Sequence, residues 1–171
     1  MTKEGKITII VIATTIFLVG GLVFLMTKST TEVGGKAYAA DTQVAGVEAN
    51  PSGIMALGNI AYKGGTVTKT FDVKNTSDKT LKLRKISTSC MCTRAKFSVN
   101  GKESKFYGME MSGDLNPLID IDLPAGQTAQ VTFIFDPAAH GLQGVGAVDR
   151  QITVFFDSGY KTLEFGGTVV N

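Results

Sequence analysis

Two cysteines, Cys90 and Cys92, stand one residue apart, and they are the only cysteines in the 171-residue chain. Thiols at this spacing can close a bridge, exchange it with another thiol, or grip a soft ion such as Cu(I) or Zn(II) as paired thiolates. In an extended strand, positions i and i+2 face the same side with Cα atoms roughly 6.5–7 Å apart. That is at or beyond the edge of the roughly 4.4–6.8 Å that a disulfide spans, so a Cys90–Cys92 bridge requires a turn or bulge. The plainer alternative is packing, because a buried cysteine behaves as a small hydrophobe. The sequence offers no flanking base, no C-x-x-C on a helix and no thioredoxin-like pattern to favour redox chemistry.

Other residues add less. Met91, Met109 and Met111 supply thioethers that suit Cu(I), but methionines more often fill gaps. Copper or zinc is therefore a secondary expectation, and no cofactor is the primary one. His140 is the sole histidine. No catalytic pattern sets a Ser or Cys beside it, so it reads as a solvent-exposed loop residue. Asp120 and Asp122 share a strand face, with Asp114 and Asn116 just before them, but the spacing lacks the calcium-loop pattern and its distant Glu. They read as a solvated face. Gly34-Gly35, Gly64-Gly65 and Gly166-Gly167 read as turns or strand irregularities, since no helical pattern follows them to make a phosphate cradle.

The elements that must position these residues are strands. Val67, Phe71 and Val73 alternate with Thr68, Thr70, Asp72 and Lys74, the period of a half-buried strand. Asn75 to Asp78 supplies turn chemistry. Leu81 and Leu83 continue the alternation, and Ile86 breaks its phase, which predicts a bulge before the cysteines. Phe97 and Val99 lead into Asn100-Gly101, the signature of a type I′ hairpin turn, with Phe106 and Tyr107 on the returning strand. Further faces follow at Ile119, Ile121 and Leu123, then Val131, Phe133 and Phe135, then Ile152, Val154 and Phe156, and last Leu163 and Phe165. No convincing helical period occurs after Met26. About seven or eight short strands, with turns every 8–12 residues or so, predict an antiparallel, immunoglobulin-like β-sandwich over 53–171.

The start of the chain is different. Ile7 to Met26 is a run of twenty residues without a charge, long enough at about 1.5 Å per residue to cross a hydrocarbon core of roughly 30 Å. It is expected to be a transmembrane helix or signal anchor, with residues 1–6 cytoplasmic because Lys3 and Lys6 precede it. Cleavage is the competing reading, since Ala37-Tyr38-Ala39 fits signal peptidase. The apolar run is longer than a usual signal peptide's, however, and that motif lies far beyond it. Residues 27–52, rich in Gly, Ala, Ser and Thr, are expected to be a flexible tether. With 17 Lys and Arg against 15 Asp and Glu, and no basic cluster, nucleic-acid binding is not expected.

Several segments resemble a bacterial family in order. They are Leu57-Gly58-Asn59-Ile60, Gly65-Thr66-Val67, Thr70 through Thr76, Leu81 through Ile86, Ser89-Cys90-Met91-Cys92-Thr93, Leu123 through Gln127, and Gly166 through Val169. The family is the domain of unknown function 1573 group, which is similar to Hydin-like immunoglobulin domains. The resemblance spans about Ile54 to Val170 and implies a sandwich in an exported location, without a settled biochemical role. Two departures stand out. Met91 replaces the usual glycine between the cysteines, which would be strained if that position needs φ > 0. Asn100 to Asn116 is longer than usual, which puts an extra hairpin or loop near the cysteines.

The expectation is thus a non-catalytic binding or structural module, tethered outside the cytoplasmic membrane and meeting another cell-envelope protein. The alternative is a thiol-redox or Cu(I)-handling protein using Cys90 and Cys92, with Met109 and Met111 as lesser metal candidates.

Overall fold

The structure is a computed structural model that describes residues 41–111 and 115–171. The expected membrane helix at 7–26, the cytoplasmic residues 1–6, Gly34-Gly35, the cleavage motif and Asp114 lie outside the described residues. Among those described, no helix is long and apolar enough to cross a membrane.

Two five-stranded sheets face each other. One is ordered β1 (Val47–Asn50), β3 (Val67–Asn75), β8 (Thr128–Phe135), β5 (Thr93–Val99), β6 (Lys102–Glu103). The other is ordered β2 (Met55–Ala61), β10 (Gly159–Val170), β9 (Gly146–Phe156), β4 (Leu81–Thr88), β7 (Ile121–Leu123). The all-β, two-sheet architecture follows the alternation in the sequence. Strand pairing departs from expectation at one place, because β2 runs parallel to β10. A hairpin would force antiparallel pairing, but nearly the whole domain separates these two strands, so no short turn constrains their direction. The second sheet is therefore mixed.

The core forms from the inward residues of each strand. Phe133 of β8 stacks on Phe165 of β10 across the two sheets with ring centroids 4.3 Å apart, and Phe71 of β3 lies 5.8 Å from Phe133. Phe135 meets Phe165 edge-on at 5.7 Å. All four rings are buried.

Local signals in the sequence have visible outcomes. Asn100 and Gly101 both take positive φ, at 50° and 79°, and pair Val99 with Lys102 as a type I′ turn requires. The phase break at Ile86 is a register shift between Leu83 and Lys85 where β4 meets β9. Gly166-Gly167 is an irregularity inside β10, with the shift against β2 falling between Gly166 and Thr168. A Cβ on Gly167 would come within 2.7 Å of the Gly58 carbonyl, so the bulge can close only on glycine. The returning strand after Asn100-Gly101 is shorter than expected. It ends at Glu103, and Tyr107 adds one isolated bridge to Ala95.

Residues 44–50, expected within the tether, are part of the sandwich. Val47–Asn50 is strand β1, paired antiparallel with β3, and Val44 donates its N–H to the Tyr160 carbonyl at 2.8 Å. Val44 and Val47 are both buried. With two apolar anchors and ladder bonds, this stretch belongs to the sandwich despite its small, polar composition.

One buried polar residue ties two turns together. Asn75, fully buried, donates from Nδ2 to the Lys79 carbonyl at 2.7 Å and the Leu123 carbonyl at 2.9 Å. Its Oδ1 accepts from the Ser77 N–H at 3.0 Å and the Ser77 hydroxyl at 2.7 Å. The turn after β3 is thereby locked to the end of β7.

The long segment after β6 lies over β4. Lys85 is buried on the outer side of that strand, with its ammonium 2.6 Å from Glu110. Asn116 donates from Nδ2 to the Ile86 carbonyl at 3.0 Å and the Gly108 carbonyl at 2.8 Å. These contacts explain why β4 is buried on both faces from Leu83 to Ile86 while its neighbours alternate.

Candidate functional site

Strand β4 leaves its sheet at Ser89, whose N–H still bonds the Gln151 carbonyl of β9 at 2.9 Å. The chain then turns to enter the opposite sheet as β5. The Thr93 N–H reaches back to the Cys90 carbonyl at 3.1 Å, which closes a four-residue turn over Cys90-Met91-Cys92-Thr93. Buried Thr88 braces it, its hydroxyl lying 3.0 Å from both the Cys90 and Thr93 carbonyls. The turn draws the two cysteine Cα atoms to 5.2 Å, and the sulfurs are joined as a disulfide. The bridge thus has the turn that the spacing requires.

Met91 sits at the tip, 62% exposed. Among the described residues Asn100 is the only non-glycine with positive φ. The strain expected from methionine at the family's glycine position is therefore absent, because the turn is built without a left-handed residue there.

Two further side chains converge on the sulfurs. Strand β8 ends beside the turn, where the Asp136 N–H bonds the Cys92 carbonyl at 2.8 Å. The chain then bends, with the Asp136 carboxylate accepting from the Ala138 N–H at 2.9 Å, and delivers His140. The His140 Nε2 lies 3.1 Å from the Cys90 sulfur. From β9, Arg150 donates its Nε–H toward the Cys92 sulfur at 3.3 Å and one terminal N–H to the Asp149 carbonyl at 2.7 Å.

This corrects the sequence reading of His140. It is exposed and on a loop, as expected, but a cysteine sulfur stands against it. The missing flanking base exists, supplied from fifty residues away. Arg150 was not singled out by the sequence at all, since one arginine in an alternating strand carries no local signal.

Each sulfur therefore has its own polar neighbour. Arg150 carries a permanent charge, and a cation beside a cysteine favours its thiolate, the form that acts as nucleophile and metal ligand. The imidazole of His140 can accept or donate a proton at the Cys90 sulfur. Cys90 and Cys92 are themselves buried, at 8% and 3% exposure.

The remaining candidates fall elsewhere. Asp120 and Asp122 both reach the Lys82 ammonium, at 3.0 and 2.7 Å, and Asp120 lies 3.3 Å from Arg84. The Lys82 hydrogen bond holds the Asp120 carboxyl below its ordinary range, with Arg84 adding to the effect, and the two aspartates raise Lys82 in turn. They are a solvated, charge-balanced face. Met91 and Met109 line one groove of about 450 Å³ together with Phe106, Tyr107 and Leu115. Met111, at 58% exposure, and Leu115, at 71%, add apolar surface nearby.

Residues 51–105 match the family model described as "Protein of unknown function (DUF1573)". The match runs from just before β2 through β6, includes both cysteines, and bears out the resemblance over that stretch. No curated protein matches the chain. Among solved structures, it is similar to a protein of unknown function from Porphyromonas gingivalis W83, with a TM-score of 0.52 and 12% identity, over 81% of this chain and 51% of that one. The chain thus spans about half the length of that protein, and the likeness is one of fold. Weaker similarity extends to a family 123 glycoside hydrolase from Clostridium perfringens, with a TM-score of 0.46 and 8% identity over 68% and 23% of the two chains. The PapD-like domain 7 of human CEP192 gives a TM-score of 0.36 and 12% identity over 79% and 99%.

Proposed function

We propose that this chain is an exported thiol–disulfide module, an immunoglobulin-like sandwich anchored by its N-terminal apolar segment and exchanging electrons through Cys90 and Cys92. The observation that carries this reading is the placement of His140 against one sulfur and Arg150 against the other, at 3.1 and 3.3 Å. The twenty uncharged residues from Ile7 to Met26 support the anchor and the export.

The loop that the bridge closes argues against a mainly structural role. In the chain-entropy picture, a bridge closing three residues restrains the unfolded chain by about 1.6 kcal/mol, against about 3 kcal/mol for a fifteen-residue loop. A bridge with so little to offer stability, flanked by a base and a cation, is suited to opening and closing. An incoming thiolate would attack the sulfur of Cys90, the less buried residue of the pair, and release Cys92 as a thiolate beside the Arg150 guanidinium. A second thiol on the partner then completes the exchange, leaving the partner as a disulfide and this pair as two thiols.

A docking reading is favoured by a separate observation, the exposed Met91 and Leu115 lining the groove beside the turn. Exposed apolar surface of this kind marks contact sites. On that reading the corner is a contact surface and the bridge a bystander.

Single-cysteine variants of the full chain in intact cells distinguish the two. Exchange predicts that Cys92→Ser, which keeps Cys90, accumulates mixed disulfides with partner proteins on non-reducing gels. Cys90→Ser should accumulate fewer. The absence of adducts from both variants, together with a wild-type bridge that dithiothreitol does not open in the folded protein, overturns the exchange reading.

A further inference from the structure

We propose that the reduced Cys90–Cys92 pair, together with His140, is a binding site for Cu(I) that the disulfide closes; this rests on the exchange reading above. The two sulfurs and one imidazole nitrogen all lie within 4.8 Å of one another. Donors about 2.0–2.3 Å from a shared ion are separated from each other by roughly 3.5–4 Å in a trigonal plane. Once the S–S bond is gone, the sulfurs can part to that distance. His140, exposed on its loop and 3.1 Å from the Cys90 sulfur, needs to retreat by only about half an ångström.

The donor set selects the ion. Two thiolates and an imidazole are soft to borderline ligands, and no carboxylate belongs to the group, which disfavours Mg²⁺ and Ca²⁺. Charge then separates copper from zinc. Two thiolates around a monovalent ion leave one net negative charge, which the guanidinium of Arg150, 3.3 Å from the Cys92 sulfur, neutralises. The same ligands around Zn²⁺ would leave a neutral centre facing that cation, with a fourth position unfilled. Arg150 is therefore a positioning residue, donating to a ligand rather than to the ion.

The steps balance. An external dithiol gives two electrons and two protons to the Cys90–Cys92 bridge and leaves as a disulfide. Cu(I) then displaces the two thiol protons to solvent. Reoxidation by a disulfide partner removes both sulfur ligands and releases the ion, so the state of the bridge sets whether copper is held.

The test uses the full chain in detergent, oxidised or reduced, with free thiols counted by a chromogenic disulfide reagent before Cu(I) is supplied as its coloured bicinchoninate complex. The expected result is that oxidised protein leaves the colour unchanged and reduced protein withdraws one equivalent. Absorption at the copper K-edge should then report two sulfur and one nitrogen neighbours. His140→Ala should lose the nitrogen and weaken binding at least tenfold, and Arg150→Gln should weaken it roughly tenfold with the nitrogen retained. Reduced protein with two counted thiols that withdraws no copper overturns the metal site and leaves exchange standing. So does an unchanged spectrum and affinity in His140→Ala, equal binding by oxidised protein, or preference for Zn²⁺ in direct competition. If reduction of the folded protein exposes no thiols, both readings fall.

Discussion

The short loop closed by Cys90 and Cys92 makes a quantitative claim about stability. Oxidised and reduced forms of one chain differ by a single covalent bond, so comparing them avoids the packing changes a substitution would bring. The bridge restrains three residues, and the loop-closure relation gives about 1.6 kcal/mol as its entropic contribution. The turn holds without it, through the Thr93 N–H to the Cys90 carbonyl and the hydroxyl of Thr88. None of these local bonds runs through the S–S bond, and Arg150 and His140 stand beside the two sulfurs. The reduced form is therefore expected to be less stable by no more than about 1.6 kcal/mol. Urea unfolding of the full chain in detergent, followed by circular dichroism with and without a phosphine reductant, measures the difference. A loss of about 3 kcal/mol or more, roughly twice the entropic figure, would show a bridge that holds the fold together. The bridge would then be a structural staple rather than an exchanging one.

Other expectations follow from the packing and the charges. Asn75→Ala should cost about 2–4 kcal/mol, since four hydrogen bonds at roughly 1 kcal/mol each are lost and some partners recover water. Asn75→Asp should be no better, because a carboxylate would face the Lys79 and Leu123 carbonyls; a near-neutral Asp variant in urea unfolding would refute the assignment of donors. Phe133→Ala, removing a buried ring stacked at 4.3 Å on Phe165, should cost about 3–5 kcal/mol, and a loss below about 1 kcal/mol by the same method would contradict the core. Asp120 and Glu103 are held below their ordinary values of 3.8 and 4.5, chiefly by hydrogen bonds from Lys82 and Lys96. Lowered values mean stability that is present above those ordinary values and lost as pH falls through the lower folded ones. Melting temperature should therefore decline below about pH 4.5, less steeply in an Asp120→Asn/Glu103→Gln double variant; parallel slopes for the two proteins would refute this.

Much of the fold was legible because alternation reports burial directly. Phe71 and Val73, or Phe133 and Phe135, can face a core only if Asp72 and Ile134 do not, so the pattern names both strand and face. It is silent where other forces decide. Strand β1 has just four residues beginning at Val47, too short for a period, and its place comes from the ladder to β3. Lys85 broke the rule because a distant segment supplied Glu110 and covered its face. The parallel direction of β2 was equally hidden, since no turn joins it to β10. The candidate site was half legible. Ser-Cys-Met-Cys-Thr marked the turn, and the i to i+2 distance foretold that a bridge needs one. His140 and Arg150 were beyond reach, because their contacts depend on β8 ending and β9 passing at the same corner rather than on any spacing along the chain.

Strand β9 has a geometric consequence of its own. Its far end, at Phe156, pairs with Gly159, and Gly159 admits the incoming chain because a Cβ there would strike the Thr42 carbonyl at 2.5 Å. Its other half carries Arg150 to the sulfurs. Six residues of strand at about 3.3 Å each separate Arg150 from Phe156, roughly 20 Å. The described chain thus enters the sandwich roughly 20 Å along this strand from the sulfur corner.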